Sequence, residues 1–149
     1  MIYVAYGSNL NIEQMEIRCP GAALIGTGYL KDWELVYRGS KTGAYATIRK
    51  HKGKVVPVGL WRITRRHERA LDRYEGYPIF YRKYRISVYG NDDVTEGMVY
   101  IMEPGRPIGR PSGQYIDTVY HGYMACGLDG RFLLESLITN KKELKKRRG

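Results

Sequence analysis

Two short stretches hold residue types that could do chemistry. In the first, Tyr6-Gly7-Ser8-Asn9-Leu10, a strand gives way to a helix. Glycine permits close backbone approach, Ser8 and Asn9 can cap, and the leading amides of a helix are free to bind a carboxylate or a developing oxyanion. An ordinary strand-to-helix turn with an Asn cap accounts for the same residues. The second stretch is Leu71-Asp72-Arg73-Tyr74-Glu75-Gly76-Tyr77-Pro78. Glu75 falls where a helix ends, among unpaired carbonyls whose dipole disfavours a negative charge, and the flanking Tyr74 and Tyr77 offer partial desolvation. Both effects push a carboxyl towards neutral pH, the range that suits proton shuttling. An exposed acid at a helix end is the plainer reading of that position, and local physics alone does not choose between the two.

Elements must position these residues. Ile2 to Tyr6 reads as a short strand and Asn11 to Arg18 as a short helix, stopped by Cys19-Pro20-Gly21. Ala22 to Leu30 and Trp33 to Arg38 read as two strands joined by Lys31-Asp32, and Ala44 to Arg49 and Val55 to Ile63 as two more. Thr64 caps a helix over Arg65 to Tyr74, with His67, Leu71 and Tyr74 on one face and Arg65, Arg66, Glu68, Arg69 and Asp72 in water. Gly76 suits its left-handed end, and Pro78 forbids continuation. Phe80 to Tyr89, with Phe80, Arg82, Tyr84, Ile86 and Val88 on one face, and Val94 to Met102 form a hairpin across Gly90-Asn91-Asp92-Asp93. The segment 103–112 is a loop. Ile116, Val119, Tyr120 and Tyr123 mark a helix closed by Gly127, and Phe132, Leu133, Leu137 and Ile138 mark a last one. The order predicts an α+β fold with a mixed sheet or small barrel and peripheral helices, not a regular βαβ series.

Bulk properties narrow the classes. The chain has 149 residues, 43% of them hydrophobic, which suits one domain with a real core. No apolar run approaches the roughly 20 residues of a membrane span, and MIYVAYGSN lacks the basic start of a secretory signal. Cys19 and Cys126 form no ligand pair, and His51, His67 and His121 have no metal-ligand spacing. Reduced thiols and a cytoplasmic setting are therefore expected. Of the net charge of +10, half lies in Lys141–Gly149, a solvated or frayed helix end that suggests a division into a domain over 1–140 and a basic tail over 141–149. Nucleic-acid binding through that surface is disfavoured, since no RRM, KH or zinc pattern accompanies it. Arg38-Gly39-Ser40-Lys41-Thr42 has a superficial likeness to a phosphate loop but lacks the upstream glycine and the Gly-Lys adjacency.

Tyr3-Val4-Ala5-Tyr6-Gly7-Ser8-Asn9-Leu10 resembles the N-terminal signature of the γ-glutamylcyclotransferase family, including its AIG2-like and BtrG-like members. Four further stretches resemble the family in order: Gly43-Ala44-Tyr45-Ala46-Thr47-Ile48, Val58-Gly59-Leu60-Trp61, Leu71-Asp72-x-x-Glu75-Gly76 and Ser112-x-Gln114-Tyr115. The resemblance covers about residues 2–128 and implies a γ-glutamylcyclotransferase-like (BtrG-like) fold. It further implies cyclisation of a γ-glutamyl amino acid or amine to 5-oxoproline, without metal or cofactor. Glu75 would be the general acid and base, with Tyr3, Tyr6, Gly7, Ser8, Asn9, Leu10, Tyr81 and Tyr115 at the substrate. The turn Glu75-Gly76-Tyr77-Pro78 is common to the wider AIG2-like group and does not select a leaving amine. A small-anion binding module of the same fold is the alternative, against which stands the glutamate, since Lys or Arg would better hold an anion. Homodimerisation stays open.

Overall fold

Asp32 and Gly53, residues that usually mark turns, lie here inside one long ribbon. The computed structural model describes residues 1–40 and 43–148; Lys41 and Thr42, the end of the phosphate-loop-like stretch, lie outside them. Strands β2 (Ala23–Ser40) and β3 (Gly43–Arg62) pair antiparallel from Ala23↔Arg62 to Ser40↔Gly43. Sequence reading divided each of them in two. The interruption is instead a bulge, because the register jumps from Lys31↔Val55 to Trp33↔Lys50 and leaves Asp32 opposite residues 51–54. Asp32 takes φ 67° and Gly53 φ 88°, and Asp32 Oδ1 accepts the Gly53 amide at 2.9 Å. Such a bulge bends the ribbon without ending it, and the bend lets it wrap.

The ribbon closes with three more strands into a barrel of order β1-β3-β2-β4-β5, where β1 is Ile2–Ala5, β4 Tyr81–Tyr89 and β5 Val94–Met102. β1 runs antiparallel to β3 (Ile2↔Arg62 to Ala5↔Gly59) and parallel to β5 (Tyr3↔Met98). The β4–β5 hairpin turns at Gly90–Asp93 as expected, and β2 meets β4 at Tyr29↔Tyr89. The expected face of β4 holds only at one end: Ile86 and Val88 are buried, but Arg82 and Tyr84 are exposed, Phe80 precedes the strand, and Tyr81 from the other face is buried. Strand twist turns opposite faces inward at the two ends of the hairpin. Val4, Leu30, Val56, Val58, Val88 and Val99 form the barrel's fully buried core, each worth roughly 1.5–3 kcal/mol of burial.

Helices flank the barrel. α1 (Ile12–Arg18) is capped by Asn11, whose Oδ1 accepts the Gln14 amide at 3.0 Å. α2 (Arg65–Glu75) begins in a capping box: Thr64 Oγ1 accepts the His67 amide, and His67 Nδ1 accepts the Thr64 amide at 3.1 Å. α3 (Gly113–Cys126) starts at Ser112 and ends at left-handed Gly127. α4 (Gly130–Arg148) packs on β2 through Ser136 and Tyr37, whose hydroxyls lie 2.7 Å apart. The 140/141 division suggested by charge falls inside this helix, where Glu143 pairs with Arg49 at 2.7 Å and Arg38 at 3.6 Å. Among the described residues no helix is long and apolar enough to cross a membrane, and no group of three or more His, Cys, Asp or Glu could hold a metal ion.

Candidate active site

Glu75 is the last residue of α2, and Gly76 at φ 65° ends the helix by returning its amide to Asp72 and Arg73. The side chain of Glu75 lies in the wall of a cavity of about 320 Å³. Tyr3 and Tyr6 of β1, Tyr45 and Ala46 of β3, Tyr81 of β4, Tyr100 of β5 and Tyr115 of α3 line it with Gly7, Ser8 and Asn9. Burial pushes the Glu75 carboxyl up to about 7, and the Arg18 guanidinium pulls it partly back. The expected direction holds, but the source of desolvation differs. Tyr74 and Tyr77 are 45% and 40% exposed, and Tyr77 is absent from the lining, its ring facing Lys83 Nζ at 4.2 Å. Tyr74 and the barrel's tyrosines surround the carboxyl in the cavity, and burial likewise holds the Tyr3, Tyr6, Tyr81 and Tyr115 hydroxyls protonated.

The loop after β1 meets Glu75, with two changes from expectation. Ser8–Leu10 forms one 3-10 turn that no side chain caps, and the cap forms two residues after Asn9, at Asn11. Asn9 is buried instead: Nδ2 donates to Tyr3 Oη at 2.9 Å and to Glu75 Oε1 at 3.4 Å, while its carbonyl accepts from Trp61 Nε1 at 3.0 Å. Leu10 is fully buried, donates its amide to Gly7 O at 3.0 Å and does not line the cavity. That leaves the amides of Gly7, Ser8 and Asn9, which precede the first bond of the turn. A Cβ at Gly7 would stand 3.2 Å from both Ala46 Cβ and Tyr115 Oη, so glycine here answers to the protein's own packing.

Ala46 organises the opposite wall. Its amide donates to Tyr115 Oη at 3.0 Å and its carbonyl accepts from Tyr81 Oη at 2.8 Å. The two tyrosines satisfy backbone groups that an open strand edge would leave unpaired. Tyr6 Oη donates to Tyr100 O at 2.6 Å, and Tyr100 Oη to Asp72 Oδ1 at 2.6 Å. Lys83 Nζ ties Asp72, at 3.0 Å, to Glu68, at 2.9 Å. Asp72 and Glu68, expected in water, are thus anchors that fix α2 to the hairpin. Tyr74, expected beside Glu75, lines the cavity too, as do Tyr45, Arg73, Phe80 and Tyr100, which were missed from sequence. For Arg73 a signal existed in its nearness to Glu75; for Tyr100, facing α2 from β5, there was none.

The described geometry unites Tyr3, Tyr6, Gly7, Ser8, Asn9, Glu75, Tyr81 and Tyr115 about one cavity and leaves Leu10 behind it. The family model of γ-glutamyl cyclotransferase, AIG2-like, matches residues 3–117. A human γ-glutamylcyclotransferase is 35% identical over 82 residues, which are 50% of this chain and 44% of that protein, and a bovine one is 33% identical over the same extent. The match therefore spans less than half the length of these curated relatives. A solved structure of a γ-glutamyl cyclotransferase superposes with a TM-score of 0.81 at 27% identity, covering 94% of this chain and 85% of that one. The Bacillus subtilis protein YkqA shares the fold alone, with a TM-score of 0.76 at 18% identity over 99% of this chain and 53% of its own. The chain belongs to the AIG2-like γ-glutamyl cyclotransferase family.

Proposed function

We propose that this chain cyclises a γ-glutamyl amino acid or γ-glutamyl amine to 5-oxoproline and releases the free amine, with Glu75 as general acid and base. The observation that carries the reading is a single carboxyl, raised to about 7, in the wall of a tyrosine-lined cavity that Gly7, Ser8 and Asn9 also line. The α-amine nitrogen of the substrate attacks its own γ-carbonyl carbon and forms the ring C–N bond. The proton shed by the α-ammonium passes to Glu75. The same proton goes to the leaving nitrogen as the original amide C–N bond breaks, and the second proton, shed by the ring nitrogen as it becomes the lactam N–H, ends on the released amine, so the enzyme ends in its starting state and no electrons change hands. Because nucleophile and electrophile sit in one molecule, orientation is the protein's main contribution, and the scheme needs neither metal nor cofactor. One group serving as both base and acid works best with a pKa near the working pH.

In this reading the amides of Gly7, Ser8 and Asn9 hold the substrate's carboxylate or the oxyanion that develops on its carbonyl. Tyr3, Tyr6, Tyr81 and Tyr115 shape the pocket and exclude water from the carboxyl. The test is 5-oxoproline release, followed by mass spectrometry, from γ-glutamyl amino acids, γ-glutamylamines and glutathione. Release from one class supports the reading and names the leaving group. Silence across the panel favours a small-anion binding module.

A further inference from the structure

Arg18, the last residue of α1, is not in the cavity lining, yet it touches what faces Glu75. Its guanidinium lies 3.5 Å from the centre of the Tyr74 ring, and Nη1 donates to Asn9 Oδ1 and, at 3.5 Å, to Ser8 Oγ. An arginine side chain only donates hydrogen bonds. Paired with it, the Asn9 amide can present only its oxygen on that side. The Nδ2 hydrogens are then committed to the other side, where Tyr3 Oη and Glu75 Oε1 accept them. With the amide reversed, two donors would meet at Arg18 and two acceptors at Glu75. The cation–π contact with Tyr74 holds the guanidinium in place, which a flexible ammonium would do less well.

We propose that Arg18 is a positioning residue for the cyclisation, acting through Asn9 by fixing the side-chain amide so that its N–H faces Glu75. The inference rests on the proposed acid–base role of Glu75. The groups that face the carboxyl are Tyr3 and Tyr6 from β1, Tyr81 from β4, Tyr100 from β5, Tyr115 from α3, Tyr74 and Arg73 from its own helix, and Arg18 from α1. The tyrosine hydroxyls of the barrel stay neutral through ordinary pH, and Arg18 is the charge that favours the ionised carboxylate.

The experiment compares wild type with Arg18→Ala, Arg18→Lys, Asn9→Ala and the Arg18→Ala/Asn9→Ala double variant. In Arg18→Ala, kcat should fall at least ~10-fold at pH 7 with KM changed less than ~3-fold, and the ascending limb of the pH profile should move to higher pH. On the plateau above the limb, where Glu75 is ionised in every variant, the double variant should be no slower than Asn9→Ala alone, since coupled residues are not additive. Arg18→Lys should restore the limb more than kcat, because it keeps charge without the planar fork. Multiplicative losses in the double variant, or an unmoved limb in Arg18→Ala, overturn the proposal. The Glu75 carboxyl is also titrated by 13C NMR in wild type and Arg18→Ala. An upward shift in Arg18→Ala supports the positioning role even if no substrate turns over, which would sink the reaction and leave Arg18 standing. Equal midpoints overturn it.

Discussion

Asn9 Nδ2 stands 3.4 Å from Glu75 Oε1, joining two residues 66 positions apart in the chain. The first belongs to a turn held down by Trp61, the second to a helix end fixed by Gly76 and by the Asp72–Tyr100 bond. Neither residue is positioned by its own element alone. Closure of the barrel brings the loop after β1 to the end of α2.

Glu75→Gln removes the proton carrier and keeps the shape. It should fold as wild type does and lose at least ~10²-fold in 5-oxoproline release, the low end for general acid–base catalysis. Circular dichroism and single-turnover assays together check this. A variant that keeps its activity sinks the assignment of Glu75.

The raised carboxyl also carries a stability signature. Between its ordinary 4.5 and the folded value of about 7, the folded chain binds more protons than the unfolded one. Stability contributed by Glu75 is therefore full below pH 4.5, is lost as pH rises towards 7, and stays absent above. The ceiling on that loss is roughly 3 kcal/mol. Glu75→Gln does not titrate, so urea unfolding should show it gaining on wild type from pH 4.5 to pH 8, with matched values at the acid end. A gap that does not change with pH would contradict the buried carboxyl.

Legibility from sequence followed the range of the forces involved. Local signals were read correctly where they act within a few residues: Thr64 as a helix start, Gly76 and Gly127 as ends, Gly90–Asp93 as a hairpin turn. The same local logic misread Asp32, because a residue at positive φ looks alike in a turn and in a bulge, and only the partner strand tells them apart. Asn9 was read as a cap because its type suits one, whereas burial by Trp61 and Tyr3 drew it inward. Ordered motif resemblance located Glu75 among 15 acids. Tyr100 and Arg18 stayed hidden, since each reaches the site across a tertiary contact that no spacing encodes.

Tyr115→Phe tests the wall built on Ala46. The hydroxyl accepts the Ala46 amide at 3.0 Å, and phenylalanine leaves that amide without its partner. A buried donor left unmade costs about 1–3 kcal/mol. Denaturant unfolding should show a lower midpoint by that amount at unchanged slope, because the exposed surface on unfolding is the same. An unaltered midpoint would mean that water replaces the hydroxyl, and the wall would then be open to solvent at that point.

Gly122→Ala separates the site from the stability of the helix that supports it. In a helix interior alanine is better than glycine by up to ~1 kcal/mol. At Gly122 of α3, however, a Cβ would lie 2.7 Å from Leu10 C, Leu10 Cβ and Asn11 N, which are mostly backbone and cannot swing aside. The loop must then retreat from α3, and Asn9, next to Leu10, is displaced from its place beside Glu75. Overpacking of this kind costs typically 1–3 kcal/mol, more than the helix gains. Gly113, in the first turn of the same helix, has nothing within 4 Å of an added Cβ, so Gly113→Ala controls for the change in propensity. Gly122→Ala should unfold at a lower temperature and lose at least ~10-fold in activity, while Gly113→Ala keeps both. Equal behaviour of the two would show that α3 does not set the position of the loop.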